Sequence, residues 1–174
     1  RMTLKPKNQY RRASRLPPVP KSVETTPARV EVGRSTRNAT GSSMKTIKIS
    51  KYWNFGNNRE LAKKLEELVL SGKKRATTGL YQDNERIPVV GDYEAILDSS
   101  GNLLCVVLCT HSEVKNFLEV GPEFIEKEGE NDESVERWRE KHRTFFNLKD
   151  DNVRVICEEF EVVCGDKANE CHTE

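Results

Sequence analysis

No stretch of this chain stays apolar long enough to cross a membrane as a helix. Nor is a secretory leader expected from these residues, which show no apolar middle followed by a small-residue cleavage site. Cysteine is sparse: five residues, at 105, 109, 157, 164 and 171, with no Cys-x-x-Cys among them. An odd set without that spacing argues against a disulfide framework and against a zinc site, and for reduced thiols. Histidine is rarer still, three residues at 111, 142 and 172, too scattered to suggest a metal triad. No cofactor and no metal is expected, and the expected location is intracellular, in the cytoplasm.

Proline is scarce except at the start. Five of the seven prolines fall within residues 1–43, leaving only Pro88 and Pro122 beyond. The same stretch holds ten Lys and Arg against two acids, whereas residues 44–174 hold 19 against 26. The net charge of +1 therefore hides a basic arm on an acidic body. With almost no apolar periodicity, 1–43 cannot bury enough surface to offset its ordering entropy. It reads as a disordered, Pro- and Arg-rich tail. Such a tail adds sequence-independent affinity for nucleic acid, serves as an organellar transit peptide, or is no more than a solvated linker. Residues 44–174 have the length of one ordinary domain. Their net acidity argues against a broad, charge-driven RNA surface.

Within that domain, Leu61, Leu65 and Leu68 repeat at helix spacing, predicting a helix over 57–70. Asn57 can cap it with Glu60 three residues on, and Gly72 suits a left-handed stop. Trp53 and Phe55 lie just before it, as aromatics packed back on the helix. Strands are predicted over 93–98 and 103–110, joined by a turn at 99–102, and over 153–163. The last loses its phase at Glu158-Glu159, which suggests a bulge. Between them, Pro122 opens a short helix that Gly129 ends. A second helix runs from about Asp132 to Phe146, with Val135, Trp138, His142 and Phe145 on one face. Helix first, then strands, inserted helices and a closing strand make an α+β domain, and strands this short suit a small barrel.

The chemistry concentrates in Ser71-Gly72-Lys73-Lys74-Arg75-Ala76-Thr77-Thr78-Gly79-Leu80. Cations at a helix C-terminus are favoured by its dipole, so a solvated cap accounts for Lys73, Lys74 and Arg75. Across a turn, however, Lys74 and Thr77 can converge, and a lysine beside a hydroxyl can hold a phosphate or carbonyl oxygen. Glu128 precedes a glycine and so can project where backbone approaches closely. His142, one turn after Trp138, fits a core histidine, and a general base is the sharper alternative.

Four stretches, taken in order, carry a resemblance: residues 53–56 (WNFG), 68–80 (LVLSGKKRATTGL), 87–93 (IPVVGDY) and 123–146 (EFIEKEGENDESVERWREKHRTFF). They resemble the ASCH domain family, the activating-signal-cointegrator homology domains of the PUA-like superfamily, in its longer bacterial-type branch. The likeness covers roughly 51–163. It implies a PUA-like small β-barrel with helices packed around a cleft. It also implies action on RNA or on modified nucleosides or nucleotides. The family's Gly-x-Lys falls on Gly72 and Lys74, which places Lys74 in the cleft. In small members that deacetylate N4-acetylcytidine, a lysine, a threonine three residues on and a later glutamate form the active site. Here these align with Lys74, Thr77 and Glu128. Gly72, Arg75, Thr78, Tyr81, Trp53, Asp132 and His142 are the expected substrate-binding residues, Tyr81 or Trp53 by stacking on a base. Other longer members look like ribonucleases and eukaryotic ones like adaptors, so the expected function is a hydrolase, either an amidohydrolase of this type or a ribonuclease, with a non-catalytic RNA-binding or adaptor module as the alternative.

Overall fold

The computed structural model describes residues 29–32, 45–56, 58–131 and 134–165. The leucine stripe forms α1 (Arg59–Leu70), an amphipathic helix that buries Ala62, Leu65 and Val69. Its cap is Asn58, whose side chain accepts the Leu61 N–H at 3.1 Å. Asn57, the cap expected from the sequence, lies outside the described residues.

Six strands form one sheet: β1 (Arg29–Val32), β2 (Lys45–Trp53), β3 (Ala76–Leu80), β4 (Tyr93–Leu97), β5 (Leu103–Asn116) and β6 (Arg154–Gly165). Their order is β1-β2-β4-β5-β6-β3, with every neighbouring pair antiparallel except β2 and β4. The α+β class expected from the sequence holds, but the barrel does not close. Among the described residues no ladder joins β3 to β1 or β2, so β3 keeps a free edge. Strand β1 falls inside the stretch expected to be disordered; residues 1–28 and 33–43 lie outside the described residues. Strands β2 and β3 also went unpredicted. In β2 the alternation of Ile47 and Ile49 with Lys48 is visible in hindsight, whereas β3 carries no such pattern.

The expected bulge sits elsewhere. Cys109 pairs with Phe160 and His111 with Glu159, so beside the suspected site the extra residue is Thr110 of β5, while β6 has its own at Val163, where Val106 pairs with Cys164 but Val107 with Val162. Glu158 breaks the alternation because a polar residue is buried there.

Two short helices complete the domain. α2 (Pro122–Glu128) opens on Pro122 and stops at Gly129, which is left-handed at φ 69°. α3 (Val135–Phe146) starts later than expected, after Ser134, whose hydroxyl accepts the Arg137 N–H at 3.1 Å. The sheet carries helices on both faces. On one, α1 packs on Ile96, Val107 and Phe160. On the other, Phe124 of α2 and Trp138 of α3 pack with Phe117 on Ala76, Val155 and Cys157. Each large apolar side chain so buried stabilises by about 1.5–3 kcal/mol. A helix of seven residues is marginal alone, so this cluster holds α2 in place. Consecutive strand residues face opposite ways, and β3 therefore offers Thr77 to the α1 side and Thr78 to the α3 side.

Candidate functional site

Gly72, at φ 73°, reverses the chain after α1, and the Lys73 and Lys74 N–H groups both reach the Leu68 carbonyl at 3.0 Å. This turn separates the three cations. Lys73 and Arg75 stay in solvent, as a charged helix end would, while Lys74 turns inward and is only 2% exposed. A buried ammonium needs a partner. Lys74 Nζ donates to Glu130 Oε1 at 2.6 Å and to the Glu128 carbonyl at 3.4 Å, and lies 5.9 Å from the centre of the Phe55 ring.

The carboxylate that meets Lys74 is thus Glu130, a residue the sequence analysis did not single out. Glu128, aligned to that role, supplies only its backbone carbonyl. Its side chain accepts from Trp138 Nε1 and lies 3.7 Å from His142 Nε2. Gly129 lets one short turn present both residues: a Cβ there would lie 2.3 Å from the Lys73 carbonyl oxygen. Glycine at this position lets the α2 stop press directly on the α1 stop. His142 stacks on Trp138 with ring centres 4.0 Å apart, and its Nδ1 lies 3.0 Å from the Trp138 carbonyl. A carbonyl only accepts, so Nδ1 carries a proton.

These groups line a cleft of about 670 Å³ over the β3 edge, between α1 and α3. That size falls in the range of small-molecule sites. Of the expected residues, Lys74, Thr77, Thr78, Glu128 and His142 lie in it. The others do not. Gly72 shapes the turn; Arg75 is solvent-exposed; Tyr81 lies under the Arg154 guanidinium, 4.4 Å away. Trp53 packs edge-on against Phe55 and Phe160 and donates to Glu94 Oε2 at 2.7 Å, the core role expected of an aromatic beside a helix. Asp132 lies outside the described residues. Thr78 Oγ1 is buried without a hydrogen-bond partner. The Arg75 carbonyl and the Tyr81 N–H both bond to β6. Antiparallel pairing alternates, so the backbone groups of Thr78 face the free edge, beside its hydroxyl.

Cysteine chemistry does not compete with these hydroxyls. Burial pushes the thiols of Cys109 and Cys157 up to about 12, leaving them un-ionised and inert. Among the described residues no cluster of three or more His, Cys, Asp or Glu could hold a metal, and no helix is long and apolar enough to cross a membrane.

Two more carboxyls are buried on the α1 side of the sheet, Glu94 of β4 and Glu158 of β6. Burial raises both, opposed by Lys51, and the proximity of Glu94 adds to the effect on Glu158, which is pushed up to about 8. An unfolded glutamate titrates near 4.3. Between about pH 4.3 and 8 the folded chain therefore binds more protons than the unfolded one, and stability falls as pH rises. The melting temperature should drop from pH 5 to pH 9, and Glu158→Gln should reduce that drop. Parallel melting curves for the two proteins would exclude a protonated Glu158.

Residues 51–164 match the family model of the ASCH domain. The chain belongs to the ASCH domain family. An ASCH domain from Lactobacillus crispatus JV V101 is similar at 26% identity, covering 67% of this chain and 82% of that one, with a TM-score of 0.59. Protein EF3133 from Enterococcus faecalis V583 is likewise 26% identical, covering 71% and 86%, with a TM-score of 0.53. No curated protein matches the chain.

Proposed function

We propose that the protein is a hydrolase acting on an exocyclic amide of a modified nucleoside, of the N4-acetylcytidine type. The observation that carries this reading is the buried Lys74 ammonium, held by Glu130 in a cleft that also holds Thr77 and Thr78. Amide hydrolysis needs a nucleophile and a fixed positive group where the oxyanion develops. Thr77, or a water it positions, is the nucleophile. Lys74 stabilises the oxyanion, and Glu130 aims the ammonium. The backbone edge and free hydroxyl of Thr78 are suited to an amide or a pyrimidine edge. Charge also supports a small neutral ligand: Lys74, Arg137 and Lys141 of the lining are balanced by Glu128, Glu130 and Glu140.

The purified protein should convert N4-acetylcytidine to cytidine, read by mass spectrometry. Lys74→Ala should slow turnover by about 10²–10³-fold, the usual cost of losing one oxyanion partner. An inert wild-type protein, or full turnover by Lys74→Ala, would refute the assignment. A second reading, recognition of a base in RNA without turnover, draws on Phe145, which lines the cleft while 55% exposed and so offers a face for stacking. That reading predicts RNA binding that Phe145→Ala weakens, with no product formed.

A further inference from the structure

The sheet register brings a further carboxyl to Thr77, separate from the Lys74 cluster. Thr77 pairs directly with Glu158 across β3 and β6, and Glu158 pairs with Ser112 across β6 and β5. Directly paired residues share a face, with Cβ atoms about 4.5–5.5 Å apart. Ser112, Glu158 and Thr77 therefore form one transverse row. Its Thr77 end lines the cleft, while Glu158 is 4% exposed. Neither Glu158 Oε1 nor Ser112 Oγ has a hydrogen-bond partner. Buried polar oxygens left in that state are uncommon and call for an explanation.

Glu158 lies behind the lining, and the acids of the lining itself are committed elsewhere, Glu130 to Lys74, Glu128 to Trp138 and Glu140 to Arg137. Glu158 faces Glu94 of β4 and Asp92 just before it, Lys51 of β2 and the Cys109 thiol of β5. Burial dominates this balance, so its proton leaves only near pH 8. A carboxylate of that basicity accepts a proton far better than an ordinary glutamate, and catalytic bases are tuned upward in this way. Catalytic hydrogen bonds often stay open until a ligand is bound.

We propose that Glu158 is the general base for Thr77, an assignment that rests on the hydrolase reading above. As Thr77 Oγ bonds to the carbonyl carbon, its proton passes to the Glu158 carboxylate. The carbonyl electron pair moves onto the oxygen that faces Lys74. Collapse of this intermediate breaks the C–N bond, and the departing amine nitrogen takes the proton from Glu158. Water then attacks the threonine ester. Its proton passes through Glu158 to the departing Thr77 oxygen, which releases the carboxylic acid.

Two measurements test this. The first is the pH dependence of N4-acetylcytidine turnover in wild type and Glu158→Gln. Wild-type turnover should climb towards a plateau above pH 8, and the variant should be about 10²–10⁴-fold slower without that climb. Equal melting temperatures at pH 5, where Glu158 is protonated and glutamine mimics it, show that the loss is not unfolding. The second needs no substrate: carboxyl-carbon NMR titration of Glu158 in wild type and Thr77→Val. Once ionised, the Glu158 carboxylate draws the Thr77 hydroxyl towards it, so removing that hydroxyl should raise the midpoint. A variant that keeps the wild-type rate and pH profile overturns the assignment, as does an unchanged midpoint. If wild type leaves N4-acetylcytidine intact, the hydrolase reading fails, and the Thr77→Val titration alone decides whether Glu158 and Thr77 are coupled.

Discussion

Glu130→Gln should destabilise the protein by about 3–5 kcal/mol, the cost of stranding a buried charge without its partner. The ammonium of Lys74 is 2% exposed, and its remaining polar contact is the Glu128 carbonyl at 3.4 Å. Lys74→Met should cost less. It removes the buried charge, and the Glu130 side chain, 19% exposed, can turn towards water. Combining the two replaces a buried ion pair with neutral groups, a change that is commonly near-neutral. The double variant should therefore be more stable than Glu130→Gln alone. Urea unfolding of the three variants gives the cycle. If Glu130→Gln unfolds within about 0.5 kcal/mol of wild type, the pair does not hold the floor of the cleft.

Gly129→Ala should be nearly as damaging, at about 2–5 kcal/mol, for a different reason. The left-handed backbone at φ 69° costs a non-glycine residue about 1–2 kcal/mol. The new Cβ would also meet the Lys73 carbonyl oxygen at 2.3 Å and its carbon at 2.6 Å. Backbone atoms cannot swing aside as a side chain does, so the two segments must part, at a further 1–3 kcal/mol or so. Parting them draws Lys74 away from Glu130, so ligand binding in the cleft should fall as well. Gly72→Ala is the control. Gly72 is also left-handed, at φ 73°, but nothing lies within 4 Å of an added Cβ. It should bear only the backbone cost. Equal losses at the two glycines, measured by thermal unfolding, would mean that the close approach at Gly129 does not matter.

Helix α1 was legible in the sequence because its signals are local: a leucine stripe, a capping asparagine and a glycine stop. The cap was placed one residue early because Asn57 and Asn58 are chemically interchangeable there. Strand β3 was illegible. It has five residues and no alternation, and only its ladder with β6 keeps it extended. Glu158 was misread for a related reason, since a buried polar residue and a bulge interrupt an apolar pattern in the same way.

In the site, the Gly72-x-Lys74 resemblance placed the lysine in the cleft, and Lys74 is among the residues that line the cavity. The choice between Glu128 and Glu130 turned on the single left-handed residue between them. A strand or helix pattern cannot predict which of two carboxylates such a turn will aim at a lysine 56 residues away in sequence. Apolar spacing, capping residues and glycine stops thus determined α1, α2, the β4–β5 hairpin and the membership of Lys74, Thr77 and Thr78 in one segment. Tertiary structure alone decided that β3 is a free edge, that Glu130 meets Lys74, and that Glu158 lies beside Thr77. The reason is physical: periodicity is a property of neighbours along the chain, whereas charge pairing and strand register are set by packing between distant segments.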